Sequence, residues 1–73
     1  PNPVMADGWV RIEQTNTQIR FLRVYNGAGQ LIDQFERVQM PFSFRLPETS
    51  GLYIIEAMDV HGKRISKKIL RQP

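Results

Sequence analysis

The chain has 73 residues, 41% of them hydrophobic and 23% charged, a balance that fits one globular domain and argues against intrinsic disorder. It holds no cysteine and one histidine, His61, which excludes disulfide staples and cysteine-containing zinc sites, and no apolar run approaches the ~20 residues of a membrane-spanning helix. The net charge of +3 is uneven: residues 1–60 carry five Arg against seven acids, a balance of −2, whereas 61–73 carry Lys63, Arg64, Lys67, Lys68 and Arg71 with no acid, a balance of +5. A start at Pro1 rather than Met, without a signal peptide, points to a single domain, 1–73, excised from a longer protein.

The chain reads as strands throughout. A short one is expected at 2–5. The next, 8–13, alternates Val10 and Ile12 with Trp9 and Arg11, which leaves Trp9 exposed. A polar connection over 13–18 leads into 19–26, where Ile19, Phe21, Leu22 and Val24 break strict alternation and predict a bulge between Phe21 and Leu22. Asn26-Gly27-Ala28-Gly29 is a hairpin loop, with Gly29 supplying the positive φ that closes it before a strand at 30–36. In the strand at 40–46, Met40, Phe42, Phe44 and Leu46 alternate with Pro41, Ser43 and Arg45. Pro41 makes this an edge strand, or the place where it starts. After a loop at 47–51, the strand 51–59 is apolar on both faces (Tyr53, Ile55 and Ala57 against Leu52, Ile54 and Met58), so it is central and Tyr53 belongs to the core. His61-Gly62 turns the chain into the last strand, 63–71, where Ile65 and Ile69 flank Lys67 in a weakly amphipathic edge. No stretch has helical periodicity with caps. The fold class is all-β: a small Ig-like antiparallel β-sandwich of six or seven strands.

Few groups suit catalysis. His61 lies in a turn, the acids Asp33, Glu36, Glu48, Glu56 and Asp59 are scattered, and Ser43, Ser50 and Ser66 have no base placed beside them by sequence. No enzymatic activity, cofactor or metal is expected. Gly27-Ala28-Gly29 is followed by no helix and no Lys-Ser pair, so it is a hairpin and not a phosphate loop. Leu46-Pro47-Glu48-Thr49-Ser50-Gly51 differs from a Leu-Pro-x-Thr-Gly cell-wall signal, since Ser50 occupies the glycine position and no hydrophobic tail follows. Aromatics other than Trp9 fall on inward or ambiguous faces, which argues against nucleic-acid binding. The basic end fits an anionic surface or acidic partner, or alternatively a solvated edge whose lysines discourage aggregation.

The order of motifs carries more. The chain opens with Pro1-Asn2-Pro3 and continues with Tyr25-Asn26-Gly27-Ala28-Gly29-Gln30-Leu31-Ile32. It then has Gly51-Leu52-Tyr53, Gly62, and a Lys67-Lys68-Ile69-Leu70 end. Over its whole length this set resembles the type A C-terminal sorting domain of type IX (Por) secretion cargo in Bacteroidetes. Tyr25, Gly29 and Ile32 match that family's hairpin motif, Gly51 and Tyr53 its Gly-x-Tyr strand, and Gly62 its last turn. Lys68, Ile69 and Leu70 match its terminal motif. Asn26 stands where the family has Asp, and Gln30 where it has Arg. The resemblance implies a folded export signal that passes through the periplasm and directs its cargo across the outer-membrane translocon, for release or surface attachment. It implies an outer-membrane shuttle protein and a sortase-like surface protease as partners, and joining of the cargo to anionic lipopolysaccharide. Lys67, Lys68, Ile69, Leu70 and Arg71 are the candidate partner-recognition residues; the other motif residues are mainly structural. The rival readings are an Ig- or fibronectin-like spacer, a carbohydrate-binding module using Trp9, and a retained lipopolysaccharide-binding module.

Overall fold

The computed structural model describes residues 4–13 and 18–72. Seven strands run through them: β1 (Val4–Ala6), β2 (Trp9–Ile12), β3 (Ile19–Asn26), β4 (Leu31–Val38), β5 (Phe42–Arg45), β6 (Gly51–Asp59) and β7 (Arg64–Arg71). Every pairing is antiparallel, and the strands form two sheets ordered β1-β2-β5 and β4-β3-β6-β7. The chain lays down the β1–β2 hairpin and crosses to the other sheet for β3–β4. It returns to place β5 beside β2, then crosses again for β6–β7. The result is a small immunoglobulin-like sandwich.

Turn chemistry fixes the hairpins. Ala6 pairs with Trp9 across a two-residue turn in which Asp7 (φ 53°) and Gly8 (φ 83°) both have positive φ. Asp-Gly is the preferred pair for such a turn, because its twist matches that of the flanking strands. Gly8 therefore belongs to a turn and not to the expected strand 8–13. Of the first expected strand, Asn2 and Pro3 lie outside the described residues, as do 14–17 of the polar connection. The strand expected at 30–36 runs on to Val38, which is buried where it pairs with Ile19. β5 starts after Pro41 and, among the described residues, lies at the edge of its sheet.

The inner faces supply one core. Val10, Leu22 and Val24 are almost wholly enclosed, with Ile19, Val38, Phe44, Leu46, Tyr53, Ile55 and Ile69 around them. Burying side chains of this kind stabilises by about 1.5–3 kcal/mol each. Phe35 of β4 closes the side of the sandwich against Phe42 and Phe44 of β5, with ring centroids 5.1 and 5.4 Å away. The break in alternation in β3 is real but lies earlier than expected. Ile19 pairs with Asp59 and Phe21 with Met58, so Arg20 is the extra residue of the bulge, and no bulge separates Phe21 from Leu22. Ile19 and Leu22 consequently share the inner face, while Phe21 points outward. There the Arg23 guanidinium, 4.2 Å from the ring centroid, helps to cover it. A second irregularity, between Val24 and Tyr25 in the β3–β4 pairing, leaves Ile32 as the extra residue of β4.

β6 is central, as its two apolar faces require, and its entry is fixed by Tyr53. The ring is buried, and its hydroxyl donates to the Thr49 carbonyl at 2.7 Å. A tyrosine bonding back across the corner between sheets is a hallmark of this architecture. Tyr53→Phe removes that bond alone and is expected to lower unfolding free energy by about 1 kcal/mol. Tyr53→Ala removes the ring as well, at about 3–5 kcal/mol. Urea denaturation followed by circular dichroism separates the two; equal losses would mean that the hydroxyl is irrelevant.

Candidate recognition surface

The strand register gathers most of the singled-out residues at one end of the sandwich. Asn26 pairs with Tyr53, Tyr53 with Ile69, Leu52 with Leu70 and Gly51 with Arg71, while Tyr25 lies between Leu31 and Ile54. Asn26, Ile32, Gly51 and Tyr53 line an open cavity of about 450 Å³, together with residues of the β5–β6 loop. Gly62 sits at the opposite end, in the turn between β6 and β7. Pro1, Asn2 and Pro3 lie outside the described residues.

Asn26 organises its hairpin through its side chain. Its Oδ1 accepts from the backbone N–H of Ala28 and of Gln30, both at 3.0 Å, and its Nδ2 donates to Gln30 Oε1 at 2.8 Å. Gly29, with φ 81°, closes the loop, and its N–H donates to the Asn26 carbonyl at 3.0 Å. The two departures from the sorting-domain pattern, Asn26 and Gln30, thus bond to each other. An aspartate could accept the same backbone bonds but could not donate to Gln30. Asp59 repeats the device at the other end, its Oδ1 accepting from His61 N and Lys63 N at 2.9 Å each. His61 itself is exposed. Among the described residues, no three His, Cys, Asp or Glu side chains group as a metal site.

Among the described residues β7 pairs only with β6, and its outer backbone edge has no strand beside it. Lys67 lies on the inner face beside Ile55, and Lys68 on the outer face beside Ile54. Both are exposed, and neither makes an ion pair among the described residues. Lys67 is solvated although it shares the face of Ile69, and Ile65 on the same face is 45% exposed. The remaining three candidates divide. Ile69 is core, opposite Tyr53. Leu70 is 57% exposed, opposite Leu52. Arg71 is engaged by the fold: its Nε donates to the Pro47 carbonyl at 2.7 Å, and its guanidinium packs over Gly8, within 3.0 Å of where a Cβ there would stand. The Gly8 carbonyl in turn accepts from Leu46 N at 2.8 Å. Arg71 therefore clamps the end of one sheet onto the first hairpin of the other. Sequence reasoning missed this use of Gly8; the Asp7-Gly8 pair was the available signal.

Comparison with protein-family models, with curated proteins and with solved structures gives no match to this chain.

The basic end should therefore split in two. Arg71→Ala is expected to lower unfolding free energy by about 1 kcal/mol, having lost a charge-assisted bond and the cover over Gly8. Lys67→Ala with Lys68→Ala should stay within about 0.5 kcal/mol of the parent, as solvated surface changes do. Equal losses in thermal melts of the two variants would contradict this division.

Proposed function

We propose that the chain is a C-terminal sorting domain: a folded, non-catalytic export signal that carries an attached protein from the periplasm through the type IX outer-membrane translocon. The observation that supports this most is the ordered motif set along the whole chain. Its hairpin, its Gly-x-Tyr strand and its terminal residues converge on one end of the sandwich, beside the basic strand β7, which pairs with β6 alone among the described residues.

The physical route to recognition runs through β7. An open edge offers backbone N–H and C=O groups to an added strand of a receptor. The exposed Lys67 and Lys68 favour an acidic partner by steering its approach and fixing its register. On this reading the shuttle protein, the translocon and the sortase-like protease are the partners, and the cargo ends at the cell surface or in the medium. Joining to anionic lipopolysaccharide concerns the cargo after the signal has acted.

One observation favours a second reading. Trp9 is 50% exposed on the outer face of the small sheet, beside Arg45, as a sugar-stacking platform of a carbohydrate-binding module would be. Glycan-array binding that is lost in Trp9→Ala would support it.

The test of the export reading is a fusion of residues 1–73 to the C-terminus of a passenger with an inner-membrane signal, in a host with type IX machinery. The passenger should reach the surface or the medium. Lys67→Ala with Lys68→Ala should leave the melt unchanged and reduce export sharply. A folded parental fusion retained in the periplasm would overturn the reading. Parental export by the double variant would reduce the lysines to a solvated edge.

A further inference from the structure

The outer face of the four-stranded sheet is divided in two. In one half, Arg23 Nε donates to Gln34 at 3.1 Å, and its guanidinium lies 3.9 Å from Glu56, which also accepts from the Tyr25 hydroxyl at 3.3 Å. This polar ladder is internally satisfied. In the other half the cross-strand rows read Leu31–Tyr25–Ile54–Lys68 and Leu52–Leu70. Leu31, Leu52 and Leu70 are 51%, 41% and 57% exposed. An antiparallel sheet that faces water alternates apolar-in with polar-out. Here the outward positions next to the basic edge are leucines and isoleucine instead. Contiguous exposed apolar groups of this kind mark interaction sites.

We propose that this half-face is the docking surface for a protein partner whose contacting surface is apolar and carries a carboxylate opposite Lys68. Charge complementarity selects that partner. Lys68 is the one charged side chain in these rows, and no acid of the described residues pairs with it. The nearest outward acid, Glu56, is already engaged by Arg23 and Tyr25. An ammonium set among leucines, once covered, requires an opposite charge from the covering surface. A lipid surface fits less well. Polybasic attachment uses clusters of about 4–8 cations, and the outward cations of β7 are only Arg64 and Lys68.

The inference rests on the export reading for where the partner is met, and it adds a face to the edge already described. The two are separable by geometry. A strand added along β7 lies ~4.8 Å beyond it, and so about two strand spacings from β6. It does not reach Leu52 or Ile54. A partner seated on the face covers both.

The experiment uses the passenger fusion with Leu52→Ser, Leu70→Ser, Lys68→Glu and Lys68→Arg, each checked for an unchanged thermal melt. The expected result is at least a ~tenfold fall in exported passenger for the first three and near-parental export for Lys68→Arg. A folded Leu52→Ser fusion exported at the parental level overturns face docking while leaving edge recognition standing. A parental fusion that stays in the periplasm overturns the export reading, and this inference with it. Two further measurements use the isolated domain. Sedimentation equilibrium should give a monomer; a dimer lost in Leu52→Ser would assign the face to a second copy and overturn the proposal. Co-sedimentation with phosphatidylglycerol vesicles should be absent; binding lost in Leu52→Ser would assign it to lipid, with the same consequence.

Discussion

The hydrogen bond from the Tyr53 hydroxyl to the Thr49 carbonyl holds the point where the chain leaves one sheet and enters the other. A sandwich with β5 in one layer and β6 in the next must turn a corner there. The corner must also aim β6 so that Tyr53 and Ile55 face inward, into the core they share with Val10 and Phe44. β6 then organises both of its neighbours. β3 docks along one side in a register that sets Val24 against Ile55, and β7 docks along the other with Ile69 against Tyr53. The four-stranded sheet is therefore built outward from the strand that Tyr53 anchors. A slip of one residue in β6 would turn its inner row of Tyr53, Ile55 and Ala57 to solvent.

Sheet edges in so small a domain need protection, and three of the four edge strands, β5, β4 and β7, are treated differently. β5 is short and begins after Pro41. β4 carries the Ile32 bulge near one end and Arg37 with φ 56° near the other, so it is a poor template for a flat partner strand. β7 has eight regular residues, and its protection is the charge of Lys67 and Lys68. Charge repels copies of the same strand but attracts an acidic one. Of these three edges, β7 alone is guarded in a way that is selective rather than purely obstructive.

The alternations Val10/Ile12, Phe42/Phe44/Leu46 and Tyr53/Ile55/Ala57 were legible in the sequence because a half-buried strand writes its faces with period two. The central place of β6 followed from two apolar faces, and the loop glycines marked the hairpins. Phe21 was not legible. An aromatic next to Leu22 looks inward, and only the bulge at Arg20 with the cover from Arg23 explains a largely buried ring on an outer face. The candidate residues were legible as a list and not as a place. Lys67 and Arg71 both read as basic tail positions, yet one is solvated and the other bonded to the Pro47 carbonyl. That difference is made by a loop 24 residues away in the chain. The apolar outer half-face was hidden for a related reason. Leu31, Leu52 and Leu70 belong to three strands, and only the register brings them together.

The clamp of Arg71 over Gly8 has a consequence for synthesis. The first hairpin of the domain is held by a side chain of its last strand, and the intervening strands must be in place before the two meet. Such a contact has nearly the largest sequence separation the domain allows, so it forms late and slows closure. A product interrupted before β7 is complete lacks the strand and the clamp together, leaving Tyr53 and Ile55 uncovered on one side. Closure of the sandwich is thus coupled to the completeness of the domain: the clamp forms only once β7 is present.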